Sequence, residues 1–246
     1  MRFLRHVADV DELKVIPFGD VHWGAKGCLK DKVVDELDYA KRVGAVLVGM
    51  GDWLEVATKE SPGASPWEQV VPGGDQYDQV LDLLQPYKHL FIGWLTGNHE
   101  QRVFRHSGLD PSKILARELG VPYLHYSAMI DFKVRGFHYI GYFRHGRSGA
   151  RLPHTKIKNA MDMQNIANAD LYVQGHVHEL DGFPQPYTYV DIKDKMIRRR
   201  KKYFVLSGHF LDYDDSYAEE AGMALGKTGV AKIKLFGDRW DIHVST

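Results

Sequence analysis

Four short apolar runs in this chain are each followed, within four residues, by a glycine and then by a side chain able to bind a metal. The runs and these polar residues are 13–18 with Asp20, 45–48 with Asp52, 90–95 with Asn98, and 171–174 with His176. An apolar run of this length, bounded by turn residues, is typical of a buried strand. Because ligand sites in open α/β sheets gather at the carboxyl ends of strands, the pattern predicts four polar side chains at one sheet edge.

Helical periodicity and hairpin signals occupy the rest of the chain. Lys30–Val43 has apolar residues at helical spacing, and Gly44 ends it. Further helices are expected at 77–84, from the Asp110 cap with Pro111 onward, and at 156–167. Further strands are expected at 129–134, 137–143, 187–192, 202–206, 230–236 and 239–244, the first two joined as a hairpin at Arg135-Gly136. Residues 58–76 are expected to form a long loop with one helical turn. These elements predict a single α/β domain, 1–246, with mixed sheets.

The composition is that of an ordinary globular domain. The chain has 246 residues, 44% of them hydrophobic and 26% charged, and its formal net charge is zero. No overall field therefore attracts nucleic acid, so such an attraction needs a local patch. No apolar run approaches the roughly 18 residues of a membrane span, and the amino terminus carries charges where a signal peptide is apolar. With Cys28 as the single cysteine, a cytoplasmic protein without membrane partners is expected.

Five short strings supply carboxylate, imidazole and carboxamide groups. In chain order they are Asp20-Val21-His22, Gly51-Asp52, Gly97-Asn98-His99-Glu100, His145-Gly146 and Gly175-His176-Val177-His178. Nitrogen and oxygen ligands without a thiolate suit Mn, Fe, Zn or Ni. Two divalent ions about 3.5–4 Å apart need a carboxylate between them, and Asp52 is the natural candidate. The strings predict a dinuclear metal centre.

This order of strings resembles the calcineurin-like metallophosphoesterase superfamily, whose pattern runs D-x-H, G-D, G-N-H-[DE], H and G-H-x-H. The resemblance covers residues 13 to about 210 and implies two packed mixed β-sheets flanked by helices. It implies one ion held by Asp20, His22, Asp52 and His178, and a second held by Asp52, Asn98, His145 and His176. It further implies hydrolysis of phosphate esters by hydroxide generated at two divalent ions, with Mn²⁺ preferred and Fe, Zn or Ni as alternatives.

The resemblance also implies roles beside the ligands. His99 is expected near the scissile phosphate, where a protonated imidazole could supply a proton to the departing alkoxide. Glu100 is expected to orient His99 or a ligand histidine. One position departs from the family pattern: where many members have Asp or Asn three residues after the bridging Asp, this chain has Glu55. Because Glu is one methylene longer, the resemblance does not determine which groups contact Asp52.

Basic residues near the strings are candidates for substrate contact. Arg102, Arg144, Arg147 and Arg151 could each bind phosphate, and ordinary surface charge is the equal alternative. His154 and His209 are weaker candidates for lining the pocket. The densest basic run, 198–202, is expected to be a solvated hairpin, with a groove for a phosphodiester backbone as the alternative. The aromatic stretch 183–189 could stack on a base or simply pack its own loop.

The expected activity is that of a phosphodiesterase acting on nucleic acid or a nucleotide. The span 97–123 resembles small stand-alone phosphoesterases of phage and prophage genomes, which is the basis for this substrate class. A phosphomonoesterase, such as a protein phosphatase, is the alternative. A third hypothesis is a non-catalytic scaffold with the same fold. The sequence does not predict the oligomeric state.

Overall fold

Two mixed six-stranded β-sheets pack face to face, with α-helices on their outer sides. This architecture is seen in a computed structural model that describes residues 1–59, 61, 66–150, 152–214, 219, 222 and 224–246. The first sheet has the order β1 (Arg2–Ala8), β6 (Ser127–Val134), β7 (Phe137–Arg144), β8 (Leu171–Gln174), β10 (Met196–Ser207) and β9 (Leu180–Asp191). The second has the order β12 (Ile242–Ser245), β11 (Lys232–Phe236), β2 (Glu12–Phe18), β3 (Val46–Gly49), β4 (Phe91–Leu95) and β5 (Tyr123–His125).

Five α-helices lie in the described part of the chain. They are α1 (Lys30–Val43), α2 (Gly73–Leu84), α3 (Asn98–Ser107), α4 (Pro111–Leu119) and α5 (Pro153–Met161). Short 3-10 turns occur at Pro66–Glu68, Gln85–Leu90 and Asp162–Asn165. None of these described helices is both long enough and apolar enough to cross a membrane.

The buried apolar side chains form three layers, one between the two sheets and one on the outer side of each sheet. The middle layer lies between the sheets and includes Val15, Val48 and Phe143. The second sheet buries its other face, including Leu47, against α1, α2 and α4. The first sheet buries part of its outer face, around Tyr172, against α5. With both faces covered, the parallel strands read as continuous apolar runs, as the sequence showed.

The expected fold class of two packed mixed sheets with flanking helices is confirmed. The helix Lys30–Val43 is confirmed with its left-handed Gly44, and so is the Asp110 cap, whose side chain accepts a hydrogen bond from the Lys113 amide. The hairpin of β6 and β7 is also confirmed. Of the loop expected at 58–76, residues 60 and 62–65 lie outside the described residues, and the helical turn falls at Pro66–Glu68.

Several boundaries differ from the expectation, and three elements were missed. Helix α2 begins at Gly73 rather than 77, α5 ends at Met161 rather than 167, and β9 and β10 begin earlier than predicted. Strands β11 and β12 start at Lys232 and Ile242 rather than 230 and 239. Strands β1 and β5 and helix α3 were not expected. Strand β1 depends on parallel pairing with the distant β6. Helix α3 has only two apolar residues, Val103 and Phe104, which are too few to form a recognisable apolar stripe.

Candidate metal centre

The carboxyl ends of five strands from both sheets meet at one end of the sandwich. Strands β2, β3 and β4 are parallel neighbours in one sheet, as are β7 and β8 in the other. The residues that follow these strands are Asp20, Asp52, Asn98, His145 and His176. The predicted gathering of polar side chains at strand ends is confirmed, and the two sheets contribute to it jointly.

The backbone at this end of the sandwich is strained. Nine non-glycine residues in the described part of the chain have positive φ, a region that L-residues rarely adopt, and five of them were predicted metal ligands: Asp20, His22, Asp52, His176 and His178. Such strain persists only where the surrounding structure enforces it, and it concentrates at functional sites. Here the enforcement is hydrogen bonding between loops, because Asp20 N donates to Gly51 O (2.9 Å) and His22 N to Asp52 O (3.0 Å).

One cluster of donor atoms contains Asp20, His22 and His178. Their ligand atoms lie within 4.8 Å of one another. The Nε2 atoms of His22 and His178 are 3.0 Å apart, and His178 Nε2 lies 3.5 Å from Asp20 Oδ1. Asp20 and His22 are fully buried. Three ligand groups that converge in this way are arranged as they would be around one cation.

A second cluster adjoins the first and contains Asp52, His145 and His176, again within 4.8 Å. His145 Nε2 lies 3.0 Å from Asp52 Oδ2 and 2.9 Å from Asn98 Oδ1. The amide of His176 donates to both carboxylate oxygens of Asp20 at 3.0 Å, which ties the second cluster to the first. All seven predicted ligands are therefore brought together.

Asp52 is the central carboxylate of this arrangement. Its Oδ1 accepts a hydrogen bond from the His99 amide (2.8 Å) at the first turn of α3, where the helix dipole favours a negative charge. Its Oδ2 is buried and faces two imidazole nitrogens, His145 Nε2 at 3.0 Å and His99 Nε2 at 3.9 Å. Burial raises the pKa of this carboxyl, but the charges of His145 and His99 outweigh burial and hold the pKa well below its usual value. A buried carboxylate among imidazole nitrogens, which are themselves metal donors, fits a cation.

His99 faces the same centre without joining either cluster of predicted ligands. Its Nδ1 donates to the Glu55 carbonyl (2.9 Å), which leaves Nε2 directed inward, 3.9 Å from Asp52 Oδ2. Burial lowers the pKa of His99, but the charges of Asp52 and Glu55 raise it to about 9. The imidazole is thus held beside the centre with a raised pKa.

The structure explains how a glutamate is accommodated three residues after Asp52, where Asp or Asn was expected. The extra methylene lets its carboxylate reach two imidazoles, because Oε2 lies 2.9 Å from His22 Nδ1 and 3.4 Å from His99 Nδ1. Burial raises the pKa of Glu55, but the charge of His99 and the hydrogen bond from His22 lower it below its usual value. Glu55 therefore orients a ligand histidine and His99 together. The signal available in the sequence was its position three residues after Asp52.

Glu100 supports the site through partners other than the expected imidazole. Instead of orienting an imidazole, its carboxylate accepts hydrogen bonds from backbone amides of Asp52 (3.1 Å), Gly97 (3.1 Å), Trp53 (2.8 Å) and Leu54 (3.1 Å). The physical reason is that four amides at the start of α3 and after β3 lack other partners, and a buried carboxylate satisfies them together. Glu100 thus holds the loop that carries Asp52.

The expected arginines occupy different surroundings. Arg102 lines a cavity of about 360 Å³ in front of Asp52, Asn98 and His99, and its Nη1 is buried without a hydrogen bond. Arg144 and Arg147 line a separate cavity. Arg144 is partly committed, because its Nη2 donates to Asn159 O (3.1 Å) and Gln174 Oε1 (2.8 Å). Arg151 lies outside the described residues.

Two further side chains line the first cavity. His209 does so, stacked on His178 with ring centroids 4.9 Å apart, whereas His154 is exposed on α5. Lys156 was missed by sequence reasoning; it is buried, lines the cavity, and forms an ion pair with Glu179 (3.2 Å). No sequence signal marks Lys156, because a single lysine on a helix is usually exposed.

The basic run 198–202 lies on the long hairpin of β9 and β10, as expected. Arg198 forms ion pairs with Asp191 and Asp194. Because β10 runs parallel to β8, its carboxyl end is at the metal centre and the basic run is at the opposite end. The aromatic stretch packs in part, since Phe183 stacks on Phe204.

Comparison with known proteins adds no assignment: no family model matches this chain, and no curated protein matches it either.

Gly97→Ala tests the close approach of the loops around Asp52. A Cβ at Gly97 would overlap the Asp52 carboxylate and amide, so we expect weaker Mn²⁺ binding and a free energy of unfolding lower by about 1–3 kcal/mol. Calorimetric Mn²⁺ titration and urea unfolding measure the two effects. The matched control is Gly136→Ala, since a Cβ there meets no atom within 4 Å. Unchanged Mn²⁺ affinity in Gly97→Ala would contradict the described packing.

Glu55→Ala tests the carboxylate that holds His22 and His99. Removing it frees both imidazoles, so we expect affinity for Mn²⁺ to fall by about 10- to 100-fold. Glu55→Gln is the control, because its amide oxygen still accepts a hydrogen bond and the loss should be smaller. Equal affinities in the wild type and the alanine variant would show that Glu55 does not orient a ligand.

Proposed function

We propose that this protein is a dinuclear metal-dependent phosphoesterase of the calcineurin-like type. The observation that carries the proposal is the pair of adjoining donor clusters around the buried Asp52, one with Asp20, His22 and His178 and one with His145 and His176. Two ions separated by a shared carboxylate are the arrangement that hydrolyses phosphate esters. The intact ligand set argues against a scaffold that has lost its metals.

The residues present fit two divalent ions. Asp20, His22, Asp52 and His178 would hold one, and Asp52, Asn98, His145 and His176 the other. The buried position of Asp52 between the two sets, with Oδ2 3.0 Å from His145 Nε2, supports the shared role. When bound, the ions would supply Lewis-acid activation of the phosphate and a water whose pKa is lowered towards about 7. The absence of a thiolate favours Mn²⁺, with Fe, Zn or Ni as alternatives.

The chain's own residues supply the remaining steps. His99 points Nε2 at the centre and would donate a proton to the departing oxygen, while Glu55 holds the ring in place. Arg102, with its buried and unpaired Nη1, would bind a phosphate oxygen in front of His99. These roles divide the reaction between charge stabilisation by Arg102 and proton transfer by His99.

A phosphodiester of nucleic acid or a nucleotide is the leading substrate class. It is supported by the family resemblance and by the cationic Arg102 and Lys156 in the main cavity. A phosphomonoesterase is the second candidate, because the free guanidinium of Arg102 would also suit the additional charge of a monoester. The single cysteine is consistent with a cytoplasmic location as part of the same proposal.

A metal titration and two chromogenic esters test the proposal. We expect calorimetry to give two Mn²⁺ per chain and the loaded protein to hydrolyse bis-(p-nitrophenyl) phosphate faster than p-nitrophenyl phosphate. Asp52→Asn should lose both metal binding and turnover. A preference for the monoester would favour the phosphatase alternative. Failure to bind two ions, with neither ester hydrolysed, would overturn the phosphoesterase.

His99→Ala tests the proton donor separately from the metal ligands. We expect two Mn²⁺ still to bind, because His99 belongs to neither ligand set, while kcat falls about 100-fold or more, as is typical of general acids. Metal content by mass spectrometry and steady-state kinetics provide the measurements. His176→Ala is the control and should lose metal. If His99→Ala loses metal too, the role assigned to His99 is wrong.

A further inference from the structure

A second cavity adjoins the metal centre. It has a volume of about 310 Å³ and meets the centre at Asn98 and His145. Asn98 also lines the first cavity, so the two cavities are neighbours on either side of one ligand residue. A substrate whose phosphate lies at the metals can therefore extend into both.

The second cavity is cationic. Arg105 from α3, and Arg144 and Arg147 from the end of β7 and the turn after it, line it. Among the described residues that line it, none is a carboxylate. Arg105 and Arg147 are exposed, so their guanidinium groups can reach a ligand, whereas Arg144 is held by Asn159 and Gln174. Such a wall favours an anionic ligand of planar or tetrahedral shape.

An aromatic ring stands at the same cavity in a restrained position. Tyr126 is 59% exposed, yet its hydroxyl donates to Gln101 Oε1 (3.0 Å). Gln101 is itself buried and donates to Thr96 Oγ1 (3.2 Å). The ring is thus tethered at its polar end while much of its surface is in solvent. A restrained, exposed aromatic ring is what base stacking requires.

We propose that the second cavity binds the nucleotide next to the scissile phosphate of a single-stranded polynucleotide. The base stacks on Tyr126, and the neighbouring phosphate contacts Arg105 and Arg147. This assignment rests on the proposed phosphoesterase and narrows its substrate class, because a monoester has no second substituent to place there.

The basic hairpin does not provide this subsite. Ser207 ends β10 at the metal-centre end of the sheet, and Arg199 lies eight residues earlier, about 26 Å away along an extended strand. A substrate of three nucleotides that occupies the metal centre does not span that distance. Arg199 is therefore a matched control: an exposed arginine outside the proposed subsite.

The test compares a thymidine trinucleotide with methyl p-nitrophenyl phosphate, a small diester whose second substituent is a methyl group and so cannot stack on Tyr126. In Mn²⁺-loaded Tyr126→Ala and Arg105→Ala, we expect kcat/KM for the trinucleotide to fall about 10-fold, while that for the small diester stays within about 2-fold of wild type. Tyr126→Trp should restore trinucleotide turnover, and Arg199→Ala should leave both substrates unaffected. Retained turnover of the small diester shows that each variant is folded.

Binding in EDTA separates this inference from the proposed function. Without hydrolysis, fluorescence anisotropy should show weaker binding of a labelled trinucleotide to Tyr126→Ala and Arg105→Ala than to wild type. If the small diester is turned over but neither variant affects the trinucleotide, the subsite is overturned and the phosphoesterase stands. Equal loss on both substrates, or wild-type turnover of a phosphoserine peptide with none of the trinucleotide, also overturns the subsite.

Discussion

The burial of Asp52 is the constraint on which the rest of this end of the molecule depends. A carboxylate removed from water must be compensated, and here the compensation comes from the His99 amide at Oδ1 and the His145 ring at Oδ2. Glu100 is buried behind it and satisfies the amides of the same loop. The two carboxylates therefore have different roles. Asp52 faces the site, and Glu100 holds the loop that carries Asp52.

Close packing of loops follows from that constraint. Gly51, at φ +91°, and Gly97 lie against each other, so that a side chain on either would displace the backbone that carries Asp52. Gly175 lies similarly close to Asp20 and His145. The strained backbone of the predicted ligand residues and the absence of side chains at these glycines are two aspects of one arrangement, in which the loops after β2, β3, β4 and β8 approach a small volume from both sheets.

The residues proposed to bind metal and the residues proposed to contact substrate lie on different parts of the structure. The predicted ligand residues are buried or half-buried and are positioned by backbone hydrogen bonds, whereas the groups proposed to contact substrate lie on α3 and on the turns around it. Helix α3 supplies Asn98 and His99 at its first turn, Arg102 one turn later, and Arg105 a further turn along. One short polar helix thus connects the metal centre with both cavities, and its position is set by Glu100 at its amino end.

Local sequence was sufficient for the apolar strands, the Lys30–Val43 helix, the fold class and the convergence of the seven predicted ligand residues, because strand ends with glycine and a polar side chain are short-range signals. It was insufficient for α3, which has only two apolar residues, Val103 and Phe104, and for β1, whose partner is more than a hundred residues away. The roles of Glu55 and Glu100 were likewise decided by tertiary structure, because a carboxylate at a given position can face an imidazole or an amide. Sequence alone determined which chemical groups are available at the strand ends. Only the packing of the two sheets decided which groups meet, since burial and hydrogen bonding act between residues far apart in the chain.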